Sequence, residues 1–197
     1  MLDAILITQM QDEVTAALHD TSGELALEAT ADGIMAIAIA QHRANFDLWH
    51  EEDKARCPGA TDAEIARVKH AIDALNQRRN DLMEKIDLWL LDHLEQNESA
   101  PLHSETPGIM IDRLSILALK IYHTREETHR GSATETHHQR NRRRLALLEE
   151  QRADLAGCLD ALWAQVLNGT RRFKLYRQMK MYNDPELNPA MYGNAGS

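Results

Sequence analysis

Ionised side chains interrupt an otherwise apolar stretch in the second half of the chain. Asp112, Arg113 and Lys120 stand among leucines, isoleucines and alanines, and His123 follows them. A charge in such surroundings persists only if it is paired or hydrogen-bonded. Arg113 and Lys120 are seven residues apart and share a helical stripe, where a guanidinium fork and an ammonium suit an anion such as phosphate. The alternative is that these ions only pair with side chains of other helices and fix the register of a bundle.

Polar residues also recur at steps of three and four in the second and third predicted helices. Such stripes usually face solvent. Asn, however, is a poor helix former, and its recurrence at helical spacing indicates a use other than solvation. A solvated face and the wall of a polar pocket are both open interpretations. The predicted ligand-binding residues of these segments are Asn45, Trp49, Arg56, Asn76 and Asn80.

Four carboxylates on these two segments predict a site for a divalent cation. Glu84 and Asp87 form an ExxD pair, and Glu52 and Asp53 lie on the preceding predicted helix. Antiparallel helices would bring these hard oxygen ligands together, which suits Mg²⁺ or Mn²⁺. All-helical nucleotide pyrophosphohydrolases use carboxylates in this way, but their ExxE motif is not found around Glu52. If the site is catalytic, it predicts metal-dependent hydrolysis of a phosphate or nucleotide.

Histidine is abundant, but its spacing predicts no metal site. Glu126 and His129 have the ExxH spacing of a di-iron bundle, yet the second copy that such a site requires is missing. His137 and His138 are expected to be solvated between helices. The sequence also has no GxSxG motif, glycine-rich phosphate loop or Cys–His nucleophile pattern. The sequence therefore identifies no catalytic residue.

Helical periodicity runs through nearly the whole chain, whereas no segment alternates like a strand. The prediction is an all-α, up-down bundle of four to five main helices with a short C-terminal helix and an extended tail, in a single domain over residues 1–197. Ile5, Leu6 and Ile65 are expected on buried stripes. The expected helices cover residues 2–22, 32–56, 61–96 and 106–130, a fifth carries residues 145–166, and a short sixth covers 171–183 before the tail at 184–197.

The short sixth segment is basic, because residues 171–180 interleave cations with aromatic and methionine side chains. Such a pattern can bind phosphates or bases. The favoured interpretation is a short helix docked on the acidic bundle, where the protein's own carboxylates satisfy its charges.

Composition excludes several classes of protein. The net charge of −9 disfavours nucleic-acid and membrane-surface binding. No apolar run approaches the roughly 20 residues of a membrane helix, and the N-terminus lacks the pattern of a signal peptide. Cys57 and Cys158 have no CxxC partner, which predicts two buried or half-buried thiols and a cytoplasmic protein. The long third helix makes a homodimer a reasonable expectation.

Several blocks of the sequence, in order, resemble a bacterial family catalogued as domain of unknown function 4254 (DUF4254). The resemblance spans nearly the whole chain. It implies no activity, but the family's neighbourhood with glycosyltransferases and other cell-envelope sugar enzymes implies a sugar-nucleotide or glycan-phosphate ligand. The blocks are residues 48–56 (LWHEEDKAR), 75–81 (LNQRRND), 105–108 (ETPG), 111–117 (IDRLSIL) and 180–185 (KMYNDP).

Two functions of different classes follow. The leading hypothesis is a polar pocket between the second, third and fourth helices. There the four carboxylates hold a divalent metal while Arg113 and Lys120 hold an anionic, phosphorylated or sugar-nucleotide-like molecule. The alternative is a non-catalytic helical adaptor or scaffold that accompanies glycosyltransferases, in which buried ions specify packing and the basic segment docks a partner.

Overall fold

The computed structural model describes residues 2–20, 31–175, 177 and 186. Within these residues the chain forms five helices and no strand, which confirms the all-α bundle. The helices are α1 (Ala4–His19), α2 (Gly33–Lys54), α3 (Asp62–Asp92), α4 (Pro107–His129) and α5 (Glu135–Leu167). Residues 171–175, predicted to begin a sixth helix, are not helical. The remainder of that segment and the predicted tail lie outside the described residues, apart from positions 177 and 186.

Side chains placed just before the helices fix where most of them begin. Thr61 accepts a hydrogen bond from the amide of Glu64, whose carboxylate accepts one from the Thr61 amide at 2.8 Å, so the predicted capping box is present. The Thr106 hydroxyl caps α4 by accepting from the amide of Ile109, with Pro107 in the first turn, where its missing amide costs nothing. Asp3 caps α1, and Thr134 caps α5. These starts therefore follow from local sequence.

Helix α4 lies at the centre of the bundle and packs against each of the other four helices. The segment after α5 closes one side of the core, because Phe173 is buried and its backbone bonds the side chain of Gln96 at 2.8 and 3.1 Å. The largest fully buried apolar side chains come from every helix and from this segment: Ile7, Ile39, Ile86, Leu90, Ile111, Leu114, Leu119, Ile121, Leu159 and Phe173.

The helices run in two directions. Arg79 of α3 meets Asp112 of α4, and Arg125 of α4 meets Glu149 of α5, as expected for antiparallel neighbours. The exception to the up-down order is α1, which runs parallel to both α2 and α4. Its successive turns meet successive turns of those helices at the pairs Gln11–Ile111, Thr15–His42 and His19–Tyr122. The C-terminal ends of α1 and α2 therefore lie at the same end of the bundle.

Some sequence-based expectations of burial are wrong. Ile5, Leu6 and Ile65 are 62%, 52% and 42% exposed, because the core needs only one narrow face of α1 and little of the first half of α3. Cys57 and Cys158 are exposed free thiols rather than buried ones. Among the described helices, none has both the length and the apolar character to cross a bilayer.

Helices α3 and α4 pack tightly at Gly108. The amide of Gly108 donates to Asp87 of α3 at 2.7 Å, and the hydroxyl of Thr106 donates to the same carboxylate. The free amides at a helix start favour a negative charge. A Cβ built on Gly108 would lie only 2.5 Å from the carbonyl oxygen of Met83. Close docking of α4 on α3 therefore requires glycine at this position.

We expect Gly108→Ala to lower the free energy of unfolding by about 1–3 kcal/mol, because the new methyl group meets backbone that cannot move independently. The matched control is Gly157→Ala in α5, where a Cβ would meet nothing within 4 Å. That substitution should stabilise the protein by up to about 1 kcal/mol through helix propensity. Urea denaturation of the two variants tests the difference, and equal effects would contradict the close approach.

Candidate functional site

Asp112 is buried at the junction of α2, α3 and α4. Its carboxylate accepts hydrogen bonds from Gln41 at 2.5 Å and from Asn45 at 2.9 Å, both on α2. Arg79 of α3 binds both carboxylate oxygens, with its Nε 2.8 Å from Oδ1. This pairing raises the pKa of Arg79 through its hydrogen bonds to Asp112. Asp112 thus has the interhelical partners that its apolar surroundings require.

The polar network continues from this ion pair to α1. Ser115 of α4 accepts a hydrogen bond from Asn45 at 2.9 Å and lies 2.7 Å from Nδ1 of His42. The other ring nitrogen of His42 lies 2.8 Å from the hydroxyl of Thr15. Burial lowers the pKa of His42 to about 4, so the ring is neutral at physiological pH. Hydroxyl groups on both sides satisfy a neutral imidazole.

A cavity of about 450 Å³ lies beside the network, between α2, α3 and α4. Asn45 and Arg79 give it polar groups at the buried end, and Glu52 and Arg56 form an ion pair at 2.9 Å on its rim. A mostly apolar wall with a few convergent polar groups is typical of small-molecule sites. The lining residues are Asn45, Leu48, Trp49, Glu52, Asp53, Arg56, Arg79, Ile116 and Leu119.

Arg113 and Lys120 line a different cavity, of about 590 Å³, between α4 and α5. The structure brings these two cations together, as their spacing predicted, but it places them on exposed positions of α4. Arg113 pairs with both oxygens of Glu105, at 2.8 and 2.7 Å. The single predicted pocket is therefore two cavities. Ile116 is the lining residue that they share.

The four predicted metal ligands do not meet. Asp87 binds the start of α4, and burial raises the pKa of its carboxyl to about 6. The beginning of α2 lies beside the end of α3 that carries Asp87, because a Cβ on Gly33 would be 3.4 Å from the ring of Trp89. Glu52 follows 19 residues later, which is roughly 28 Å along a helix that rises about 1.5 Å per residue. Glu52 and Asp53 are thus at the far end of the hairpin from Glu84 and Asp87.

The remaining predicted residues have varied surroundings. Asn76 and Asn80 are half-buried on α3 and line neither of the two cavities. His137 and His138 lie in the first turn of α5 rather than between helices. His137 is 2.7 Å from Glu127, so this histidine links the two helices instead of being solvated.

Three imidazoles from three helices converge beside Trp49. His19 is the last residue of α1, His50 lies near the end of α2, and His123 lies on α4. One ring nitrogen from each lies within 4.8 Å of the others. Trp49 stacks on His123 with ring centroids 5.1 Å apart, and Tyr122 stacks on His19 at 4.2 Å. We call these three residues the histidine trio.

The Nδ1 atom of each ring in the trio lies against an oxygen that can only accept a hydrogen bond. These contacts are His19 to the Thr15 carbonyl at 2.8 Å, His50 to the Phe46 carbonyl at 2.9 Å and His123 to the Glu126 carboxylate at 3.0 Å. Each Nδ1 must therefore carry the hydrogen, which leaves the lone pair on Nε2. Burial lowers the pKa of His123 although Glu126 raises it, which favours the neutral ring.

Two of the three free nitrogens have no other use in the described part of the chain. Nε2 of His19 and Nε2 of His123 are buried without a hydrogen-bond partner there. Leaving a polar group buried and unpaired costs about 1–3 kcal/mol. The sequence predicts His123 as a site residue but not His19 and His50, because the convergence of the three depends on α1 and α2 running parallel. Their positions near two predicted helix ends were the available signal.

Comparison with known proteins adds a family but no activity. A family model described as "Protein of unknown function (DUF4254)" matches residues 35–175, from the first turn of α2 to the segment that follows α5. No curated protein and no solved structure matches the chain. The match includes His50 and His123, whereas His19 precedes it.

We expect Asp112→Asn to lower the free energy of unfolding by about 3 kcal/mol, because it leaves the Arg79 guanidinium in the bundle without its counter-charge. Arg125 and Glu149 form a matched exposed pair, with side chains 54% and 50% exposed. Glu149→Gln should therefore cost less than about 0.5 kcal/mol. Chemical denaturation at neutral pH measures both effects, and a small loss for Asp112→Asn would show that the buried pair does not hold the helices.

His42 makes stability depend on pH in a defined direction. Its pKa is about 4 in the folded protein and 6.5 for the ordinary side chain, so the unfolded chain takes up the proton first as the pH falls. Stability is full above pH 6.5 and declines towards pH 4. The wild type should lose about 3 kcal/mol more than His42→Gln between pH 7 and pH 4. His70→Gln at an exposed position is the control, and its pH profile should match that of the wild type.

Proposed function

Since this chain belongs to the DUF4254 family, whose function is unknown, we propose from the geometry that it binds a small organic molecule in the cavity between α2, α3 and α4. The observation that carries the proposal is the cavity itself, with apolar and aromatic walls and with Asn45 and Arg79 at its buried end. Its volume of about 450 Å³ lies in the range of small-molecule sites.

The lining indicates the chemistry of the ligand. Trp49, Leu48 and Leu119 offer an apolar surface on which a ring or a short hydrocarbon body can pack. Arg79 uses its Nε and Nη2 on Asp112, which leaves the guanidinium further donors for an acceptor group of the ligand. The ligand that fits has an apolar body and one acceptor end. A carboxylate or phosphate is the strongest acceptor of this kind.

Charge limits how anionic the ligand can be. Asp112 compensates Arg79 and Glu52 compensates Arg56, whereas Asp53 adds a negative charge to the lining. A highly anionic ligand is therefore disfavoured, and a single acceptor group that reaches the free donors of Arg79 is compatible with the site. Hydrolysis through a carboxylate-bound Mg²⁺ or Mn²⁺ is not part of this proposal, because Glu52 and Asp53 lie far from Glu84 and Asp87. The exposed thiols of Cys57 and Cys158 favour a reducing compartment such as the cytoplasm.

Benzoate, which has an aromatic body and one carboxylate, is a suitable probe. Titration followed by NMR should shift the indole signal of Trp49 and the side-chain amide of Asn45 in a saturable manner. Loss of the aromatic surface in Trp49→Leu should weaken binding about tenfold, in line with the contribution of ring packing. Trp89→Leu, near the end of α3 and beside the start of α2, should leave the affinity unchanged.

The two cavities are distinguished by their cations. Arg56→Ala should weaken benzoate binding a few-fold if the ligand occupies the cavity between α2, α3 and α4. Arg113→Ala is the matched control on the cavity between α4 and α5. If Arg113→Ala weakens binding while Arg56→Ala does not, the proposed location is wrong. If benzoate, phenyl phosphate and phenol all fail to shift Trp49, the ligand-binding function is contradicted and a non-catalytic adaptor becomes the better interpretation.

A further inference from the structure

We propose that the histidine trio of His19, His50 and His123 binds a divalent transition metal of the zinc class. The trio is separate from the cavity described above, since none of its members lines that cavity. It also differs from the metal site predicted from the sequence, which used carboxylates.

The protonation state of the rings suits a metal. Each Nδ1 donates its hydrogen to an oxygen, so each Nε2 presents a lone pair. A metal-bound histidine almost always donates its other ring nitrogen to a carbonyl or carboxylate in this way, which fixes the ring and makes it a stronger ligand. Two of the free nitrogens are buried without a partner among the described residues, and a metal ion would use both.

One ring nitrogen of each imidazole lies within 4.8 Å of the other two, which is close to the spacing that a metal requires. Zinc–nitrogen bonds of about 2.0–2.1 Å in tetrahedral geometry place neighbouring ligand atoms roughly 3.3 Å apart. Small rotations of the imidazoles supply the difference. The rings are already held by aromatic neighbours, since Phe46 packs on His50 at 4.2 Å and Tyr122 on His19 at the same distance.

The kind of donor selects the class of metal. Three imidazole nitrogens suit zinc, cobalt, nickel or copper, whereas Mg²⁺ and Ca²⁺ require oxygen ligands. Within the described residues, the converging set contains only histidines. Three protein ligands leave a fourth tetrahedral position for water or a substrate, which is the arrangement of catalytic rather than structural zinc sites. Glu126 then orients His123 from outside the coordination sphere.

Cobalt titration of the full-length chain tests the site. After treatment with a chelator and its removal, Co²⁺ should give the visible absorption of a tetrahedral complex that saturates at one ion per chain, and Zn²⁺ should displace it. His50→Gln and His123→Gln should each abolish the tetrahedral spectrum. Glu126→Gln should retain the spectrum but weaken affinity about 10–100-fold, because it replaces the charged acceptor of the orienting hydrogen bond by a neutral amide.

His129→Gln is the matched control, because His129 lies on the same helix and also bonds a backbone carbonyl through Nδ1. It should bind Co²⁺ like the wild type. Circular dichroism with chelator present checks that each variant folds. Glu126→Gln changes an exposed side chain, so it still tests the site if a histidine variant fails to fold. A wild type without the tetrahedral spectrum, or trio variants that bind as tightly as the wild type, would show that the imidazoles serve packing only. The benzoate titration uses chelated protein, so the two proposals fail independently.

Discussion

The buried ion pair between Asp112 and Arg79 is the interaction on which the rest of the structure depends. Removing both charges from water is expensive, and their attraction offsets this cost only if the remaining acceptor sites are hydrogen-bonded. Gln41 and Asn45 supply those bonds from α2. The pair therefore brings three helices into one register. A shift of one turn in any of them would leave an ion buried without its partner, which is why the neighbouring cavity has a defined shape.

The same network sets the position of the histidine trio. Thr15 makes two bonds that link the two regions: its hydroxyl meets His42, and its carbonyl accepts the hydrogen of His19. His42 in turn reaches Ser115, and Asn45 bonds both Ser115 and Asp112. A continuous chain of hydrogen bonds thus runs from the ion pair through the core to the end of α1. The two proposed sites share one rigid support, and Trp49 contacts both, because it lines the cavity and stacks on His123.

Much of the fold could be predicted from the sequence, because helix periodicity and caps are local. Thr61 with Glu64 predicts the start of α3, and Thr106 with Pro107 predicts the start of α4, because these signals are local. The need to pair Asp112 was also foreseeable from its apolar neighbours. Its partner was not, because Arg79 occupies an ordinary helical position and only the antiparallel docking of α3 on α4 selects it.

The errors have a common physical cause. The sequence shows which residues share a helical stripe but not which neighbour that stripe faces. Arg113 and Lys120 were placed correctly together and wrongly beside Asn45, since adjacent residues such as Asp112 and Arg113 point to different sides of α4. The four predicted carboxylate ligands lie at opposite ends of the α2–α3 hairpin, and their position on helical stripes does not show this distance. The trio was missed because it requires the direction of α1, which no local pattern encodes.

Helix α1 lies outside the matched family region, yet its inner face forms part of the core. Ile7, Met10 and Val14 are buried among side chains of the other helices, and Gln11 bonds the backbone of α4 at 3.1 Å. A recombinant fragment trimmed to residues 35–175 would therefore expose an apolar trough and remove the hydrogen bonds that Gln11 and Thr15 make to α4 and α2. Such a fragment is prone to self-association, and the expression boundaries of this protein belong before residue 4 rather than at the start of the family match.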